Sequence, residues 1–129
     1  MDKIKIYAVF MSILVILLPA KYAYSKTVIL HNASETVTVR KGTKLVLNLD
    51  GNATTGYRWI ARIKPENTNI LKIKKGVYKP ENSKLIGAGG TYTFVIKAMR
   101  KGEAQIIAEY NRSWEKVPIE VLEYTIIVK

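Results

Sequence analysis

Thr91-Tyr92-Thr93-Phe94-Val95-Ile96-Lys97-Ala98 places Tyr92, Phe94, Ile96 and Ala98 at every second position, against a polar or β-branched series of Thr91, Thr93, Val95 and Lys97. A period of two marks a strand with one face in a core. Upstream, Leu45, Leu47 and Leu49 interleave in the same way with Lys44, Val46 and Asn48. Downstream the pattern returns twice. Ile106, Ala108 and Tyr110 alternate with Gln105, Ile107 and Glu109, and Tyr124, Ile126 and Val128 alternate with Thr125, Ile127 and Lys129. No long helical pattern interrupts these runs. Turn chemistry separates them at Arg40-Lys41-Gly42, Asp50-Gly51-Asn52, Lys74-Lys75-Gly76 and Arg100-Lys101-Gly102-Glu103. Lys64-Pro65-Glu66-Asn67 suits a brief helical turn. About seven or eight short strands at this spacing predict an all-β fold, an antiparallel β-sandwich. The longest irregular segment is expected from about Lys79 to Gly90.

The first 25 residues stand apart from this pattern. Lys3 and Lys5 precede an apolar run from Ala8 to Leu18, and Ala23-Tyr24-Ser25 is a small-x-small site, so residues 1–25 read as a secretory signal peptide cut before Lys26. The run falls short of the roughly 20 apolar residues that span a bilayer, so no stable membrane anchor is expected after cleavage. Residues 26–129 then form one domain, secreted, or periplasmic or in the cell envelope if the source is bacterial. The domain is expected to be a monomer.

Export usually favours disulfides, yet the chain has no cysteine, so packing and backbone pairing must supply its rigidity. Cysteine-ligated metals and a thiol nucleophile are excluded, and a single His31 makes a histidine-based metal site or catalytic triad improbable. No cofactor is implied. Residues 26–129 carry 18 basic and 9 acidic side chains, a formal charge of +9 that steers the domain towards acidic partners. The lysines are spread through turns and solvent-side strand positions without interleaved aromatics, which disfavours nucleic acid.

Catalysis finds little support. Glu103 and Glu109 fall at a turn and on a strand's polar face, Glu115, Glu120 and Glu123 read as solvated charges, none forms a pair across a cleft, and Thr54 and Thr55 have no neighbouring histidine or lysine to act as a base. Binding by loops fits better. Gly56, Gly87, Gly89 and Gly90 let main chain approach a partner, and Arg112 and Trp114 are residue types that anchor interfaces. Trp59 is expected in the core, while Tyr57 could face either way.

Three ordered loop motifs sharpen this reading. Asn52-Ala53-Thr54-Thr55-Gly56-Tyr57, Gly87-Ala88-Gly89-Gly90 and Arg112-Ser113-Trp114, followed by Glu115, resemble the binding loops of chagasin-family inhibitors of papain-like cysteine peptidases. The resemblance extends from about Thr36 to Val128 and implies an immunoglobulin-like sandwich whose three loops wedge into a peptidase groove. By that resemblance Asn52, Thr54, Thr55, Gly56 and Tyr57 sit over the catalytic cysteine, with Thr54 nearest. Gly87, Ala88, Gly89 and Gly90 line one side of the groove, and Arg112 and Trp114 cover the other. Papain-type and cathepsin L-type enzymes are the implied partners, and inhibition would be tight, reversible and non-covalent. Ala53 and Ser113 stand where the family has proline, and they complete sequons at Asn52 and Asn111 beside a third at Asn32. A different class of function, a secreted adhesion or carbohydrate-binding module with a basic surface, is the alternative.

Overall fold

A computed structural model describes residues 26–81 and 87–129; the signal peptide expected over residues 1–25 lies outside them. Nine strands follow in chain order: β1 Thr27–Leu30, β2 Glu35–Val39, β3 Lys44–Gly51, β4 Tyr57–Lys64, β5 Leu71–Ile73, β6 Val77–Pro80, β7 Gly90–Ala98, β8 Gly102–Arg112 and β9 Glu120–Val128. One sheet runs β1-β3-β7-β5, with β6 also on β7; the other runs β2-β9-β8-β4. Their inner faces make the core of a sandwich. The alternation predicted this core: Leu45, Leu47, Leu49, Ile96, Ile106, Tyr124 and Ile126 are completely buried. Each such aliphatic side chain contributes about 1.5–3 kcal/mol of transfer free energy.

The pairing differs from the sequence reading in four places. Both N-terminal strands pair parallel with their neighbours, β1 with β3 and β2 with β9, whereas every other pair is antiparallel. A parallel partner leaves no mark on a strand's own alternation. Asp50-Gly51 is the end of β3 rather than a turn, because Gly51 pairs with Gly90. A side chain at Gly51 would begin 2.9 Å from the Tyr92 ring, so the glycine serves close packing. Lys74-Lys75-Gly76 does not reverse the chain: β5 and β6 both run antiparallel to β7, forming one edge broken in the middle. That edge runs to Pro80, where an edge strand tolerates proline, so Lys79 belongs to a strand; residues 82–86 of the expected irregular segment lie outside the described residues. Pro65 starts a single turn, closed by the Thr68 N–H donating to the Pro65 carbonyl at 3.2 Å, and no helix forms.

Between β1 and β2 the chain crosses from one sheet to the other. The Tyr124 hydroxyl holds this crossing by donating to the His31 carbonyl at 2.6 Å, and Glu123 N–H donates to Ser34 Oγ at 2.9 Å. His31 is on the surface, with Nδ1 3.1 Å from Glu35 Oε2. Burial, with smaller effects from Glu35 and Glu120, pushes the Tyr124 hydroxyl up to about 12. The folded state therefore holds this proton more tightly than the unfolded chain. Its contribution is complete below about pH 10, the ordinary tyrosine value, and fades as pH rises through about 12. Tyr124→Phe should lower unfolding stability by about 1 kcal/mol at neutral pH and flatten the alkaline fall of stability, as read by denaturant titration at pH 7 and pH 11.

Candidate functional site

Two registers bring the three loop motifs to one end. Gly51 pairs with Gly90, so the chain leaving β3 and the chain entering β7 emerge side by side. Tyr57 pairs with Arg112, which places the start of β4 beside the end of β8. The segment between β3 and β4 therefore sits in the middle, flanked by the glycine segment and by the loop after β8.

That middle segment is a single 3₁₀ turn, Ala53–Thr55, capped at both ends. Asn52 is extended (φ −134°, ψ 100°), and its Oδ1 accepts from the Thr54 N–H at 3.1 Å and from the Thr54 hydroxyl. Thr55 N–H and Oγ1 both donate to the Asn52 carbonyl, at 3.2 and 2.6 Å. Gly56 closes the turn in the left-handed region (φ 83°), where its N–H donates to the Ala53 carbonyl at 3.2 Å. Ala53, Thr54 and Thr55 form the exposed tip.

Each flank is tied to this turn. On one side Asn52 Nδ2 donates to the Gly87 carbonyl at 2.7 Å, and Glu81 N–H donates to the Gly89 carbonyl at 3.0 Å. On the other, Arg112 Nε donates to the Thr55 carbonyl at 3.2 Å. Arg112 also pairs with Glu115, Nη1 to Oε1 at 3.2 Å, and the Glu115 N–H donates to the Arg112 carbonyl at 3.1 Å. Glu115 is thus a half-buried partner rather than a freely solvated charge.

Beneath the loops a stack of π systems joins core to surface. The Trp59 ring, 4% exposed, lies 4.9 Å from the Tyr110 ring, which lies 5.2 Å from Tyr57. The Arg112 guanidinium sits 4.1 Å from the Tyr57 centroid and 5.7 Å from the Trp114 ring. Trp59 Nε1 donates to the Asp50 carbonyl at 3.0 Å, so the expected core position holds with its polar atom satisfied. Tyr57 is half-buried, between core and surface. Burial, with Tyr110 and Tyr78 nearby, holds the Tyr92 hydroxyl above its ordinary value, and this proton points to the Tyr57 carbonyl at 3.5 Å.

The eleven residues marked by the sequence thus converge, but they do unlike things. Trp114 is 69% exposed and rests its indole over Gly56. Arg112 is spent internally, holding the Thr55 carbonyl, Glu115 and two rings. Gly87 is exposed, Ala88 and Gly89 are half-buried, and Gly90 is buried within the sheet. Tyr110 escaped the sequence reading as anything but a core alternation. Its hydroxyl accepts the Asn52 N–H at 3.0 Å, a role set by its register opposite Trp59, for which the sequence holds no local signal.

Known proteins are similar to this chain in sequence and fold. The family model described as Chagasin family peptidase inhibitor I42 matches residues 38–128. Chagasin of Trypanosoma cruzi is 30% identical over 101 residues, covering 77% of this chain and 91% of its own. A cysteine protease inhibitor from Entamoeba histolytica has the same fold, with a TM-score of 0.67 at 19% identity over 81% of this chain and 96% of its own. The inhibitor PbICP-C, solved in complex with falcipain-2, is 25% identical with a TM-score of 0.53, over 81% of this chain and 98% of its own. A family match over most of the sandwich, with the three motifs gathered at one end, makes this chain a member of the chagasin family of peptidase inhibitors.

Proposed function

We propose that this protein inhibits papain-like cysteine peptidases by filling the active-site groove with its three loops, tightly, reversibly and without a covalent bond. The observation that carries this is the capped 3₁₀ turn at the centre of the loop end, tied on both sides to its neighbours. A peptidase cleaves an extended segment whose carbonyl is free to enter its oxyanion site. Here the Asn52 and Ala53 carbonyls are already occupied by Thr55 and Gly56 N–H groups. The turn therefore occupies the groove over the catalytic cysteine, Thr54 foremost, without offering a scissile bond. Gly87, Ala88 and Gly89 follow the groove on one side, with Gly90 anchoring them in β7. Trp114 covers the other side, held in place by Arg112. The complex of the related PbICP-C with falcipain-2 supports this partner class.

A standard interface of about 1,600 Å² reaches nanomolar affinity when its loops are ordered before binding. In this reading residues 1–25 direct export, so the domain acts in the medium or cell envelope. A glycan on Asn52 is disfavoured, because the same nitrogen bridges to Gly87 and a sugar there would stand in the seam between two loops.

Titrating the protein against papain and a cathepsin L-type enzyme, with a serine peptidase as control, tests the function. Stoichiometric, reversible inhibition of the cysteine peptidases alone is expected. No inhibition at micromolar concentration by folded protein would overturn the reading.

The two non-proline positions give a finer test. Ala53 opens the 3₁₀ turn behind an extended Asn52, a backbone that proline at position 53 accepts. Ser113 follows Arg112 in the turn closed by Glu115, again a position suited to proline. Ala53→Pro and Ser113→Pro should each strengthen inhibition by about two- to fivefold, corresponding to about 0.4–1 kcal/mol less disorder in the free loop. An inhibition constant that rises instead would show that the bound loop departs from this geometry.

A further inference from the structure

Lysines that look scattered in sequence align in the fold. Lys44 of β3 is the direct cross-strand partner of Lys97 of β7, and Lys97 is the partner of Lys72 of β5. Directly paired residues point to the same face, and all three are exposed. With neighbouring strands about 4.8 Å apart, three ammonium-bearing stems stand across about 10 Å of the outer surface. Like charges directly opposite one another are destabilising. Among the described residues the three salt bridges, His31–Glu35, Arg62–Glu109 and Arg112–Glu115, involve none of these lysines. A repulsion left uncompensated at consecutive positions is a local conflict of the kind that functional sites retain. The adjoining turns add Arg40, Lys41, Arg100 and Lys101, all exposed.

The row ends at a recess. Thr68, Asn69, Leu71, Lys72, Met99 and Arg100 line a hollow of about 380 Å³, within the size range of small-ligand sites. It offers two cations, a hydroxyl and a carboxamide over an apolar base of Leu71 and Met99, which suits a sugar ring bearing an acidic group. We propose that this pole binds a linear sulfated polysaccharide, with sulfates along Lys44, Lys97 and Lys72 and one sugar unit in the recess. Lysine suits this ligand, being a mobile point charge that follows sulfates without demanding a fixed fork geometry. Nucleic acid would require aromatic platforms, and no aromatic side chain lies in the row or the recess. A lipid surface would use the charge and leave the recess idle.

This site is at the far pole from the inhibitory loops. Lys44 and Gly51 are the two ends of β3, about 24 Å apart at strand rise. The polysaccharide and a peptidase can therefore be held together.

Immobilised heparin is the probe, with protein made from the full coding sequence. Lys44→Gln/Lys72→Gln/Lys97→Gln should bind at least tenfold more weakly than the unchanged protein, and Arg100→Gln at least threefold. Lys75→Gln/Lys79→Gln/Lys116→Gln removes the same charge elsewhere and should bind within twofold. Heparin-saturated protein should still titrate papain with unchanged stoichiometry, and the same titration of each triple variant without heparin reports that it is folded. Equal weakening by both triples would reduce the effect to net charge and overturn the site. Unchanged heparin binding by the first triple would overturn it outright. Tighter binding to phosphatidylserine vesicles than to heparin, lost in the same triple, would assign the surface to lipid instead.

Discussion

Trp114→Ala should weaken inhibition of papain at least tenfold while leaving the unfolding midpoint almost unchanged. The indole is 69% exposed, so its removal creates no cavity in the core and costs the free protein little. In the complex the same exposed surface becomes the largest apolar area that any loop residue can bury. A desolvated tryptophan at an interface commonly carries about 2 kcal/mol or more, which is a factor of about thirty in an inhibition constant. Its position is already set: the ring rests over Gly56, and the Arg112 guanidinium lies 5.7 Å from it. Little conformational freedom then remains to be lost on binding. The expected change is chiefly a faster dissociation rate, measurable by dilution of a preformed complex. An unchanged inhibition constant would remove Trp114 from the interface.

Arg112 illustrates what a sequence conceals. Arginine and tryptophan two residues apart read as twin anchors, and both types are frequent at hot spots. The fold separates them, turning Arg112 back to the Thr55 carbonyl and leaving Trp114 exposed. Side-chain direction at the end of β8 depends on β4 lying alongside, a long-range pairing that no local pattern records. The same holds for Tyr110, whose ring joins Trp59 to Tyr57 only through that register.

Legibility was greatest where burial is one-sided. Leu45, Leu47, Leu49, Tyr92, Phe94, Ile96 and Ala98 announced the core because an exposed alternate side makes the period visible. Ile107 broke that rule, being 5% exposed on the outer side of β8. It lies in register between Arg62 and Glu123, long side chains whose stems suit covering an apolar neighbour. The short strands β1 and β2 were illegible, since four or five residues hold too few alternations to mark a strand and none to mark a parallel partner. The lysine row was hidden for the same reason: Lys44, Lys72 and Lys97 are far apart in sequence and meet only through β7.

Gly56→Ala tests whether the loop end acts as one unit. Gly56 has φ 83°, in a region where an L side chain costs about 1–2 kcal/mol, so the variant should lose roughly that much stability. A greater consequence follows at the surface. An alanine Cβ would begin 2.5 Å from Trp114 Cη2, too close for the indole to remain where it is. The outer side of the indole is open to solvent, so in the variant the clash pushes the ring off its seat at little cost to the free protein and is felt as a lost binding pose. Inhibition should therefore weaken at least tenfold although Gly56 itself offers no side chain to the partner. Combining Gly56→Ala with Trp114→Ala separates the two explanations. If Gly56 acts by seating the indole, the double variant inhibits papain about as well as Trp114→Ala alone, since the displaced group is already gone. Fully additive losses would mean instead that the shape of the 3₁₀ turn, or main chain at Gly56 against the peptidase, carries the effect, and that the seat beneath Trp114 contributes nothing to binding.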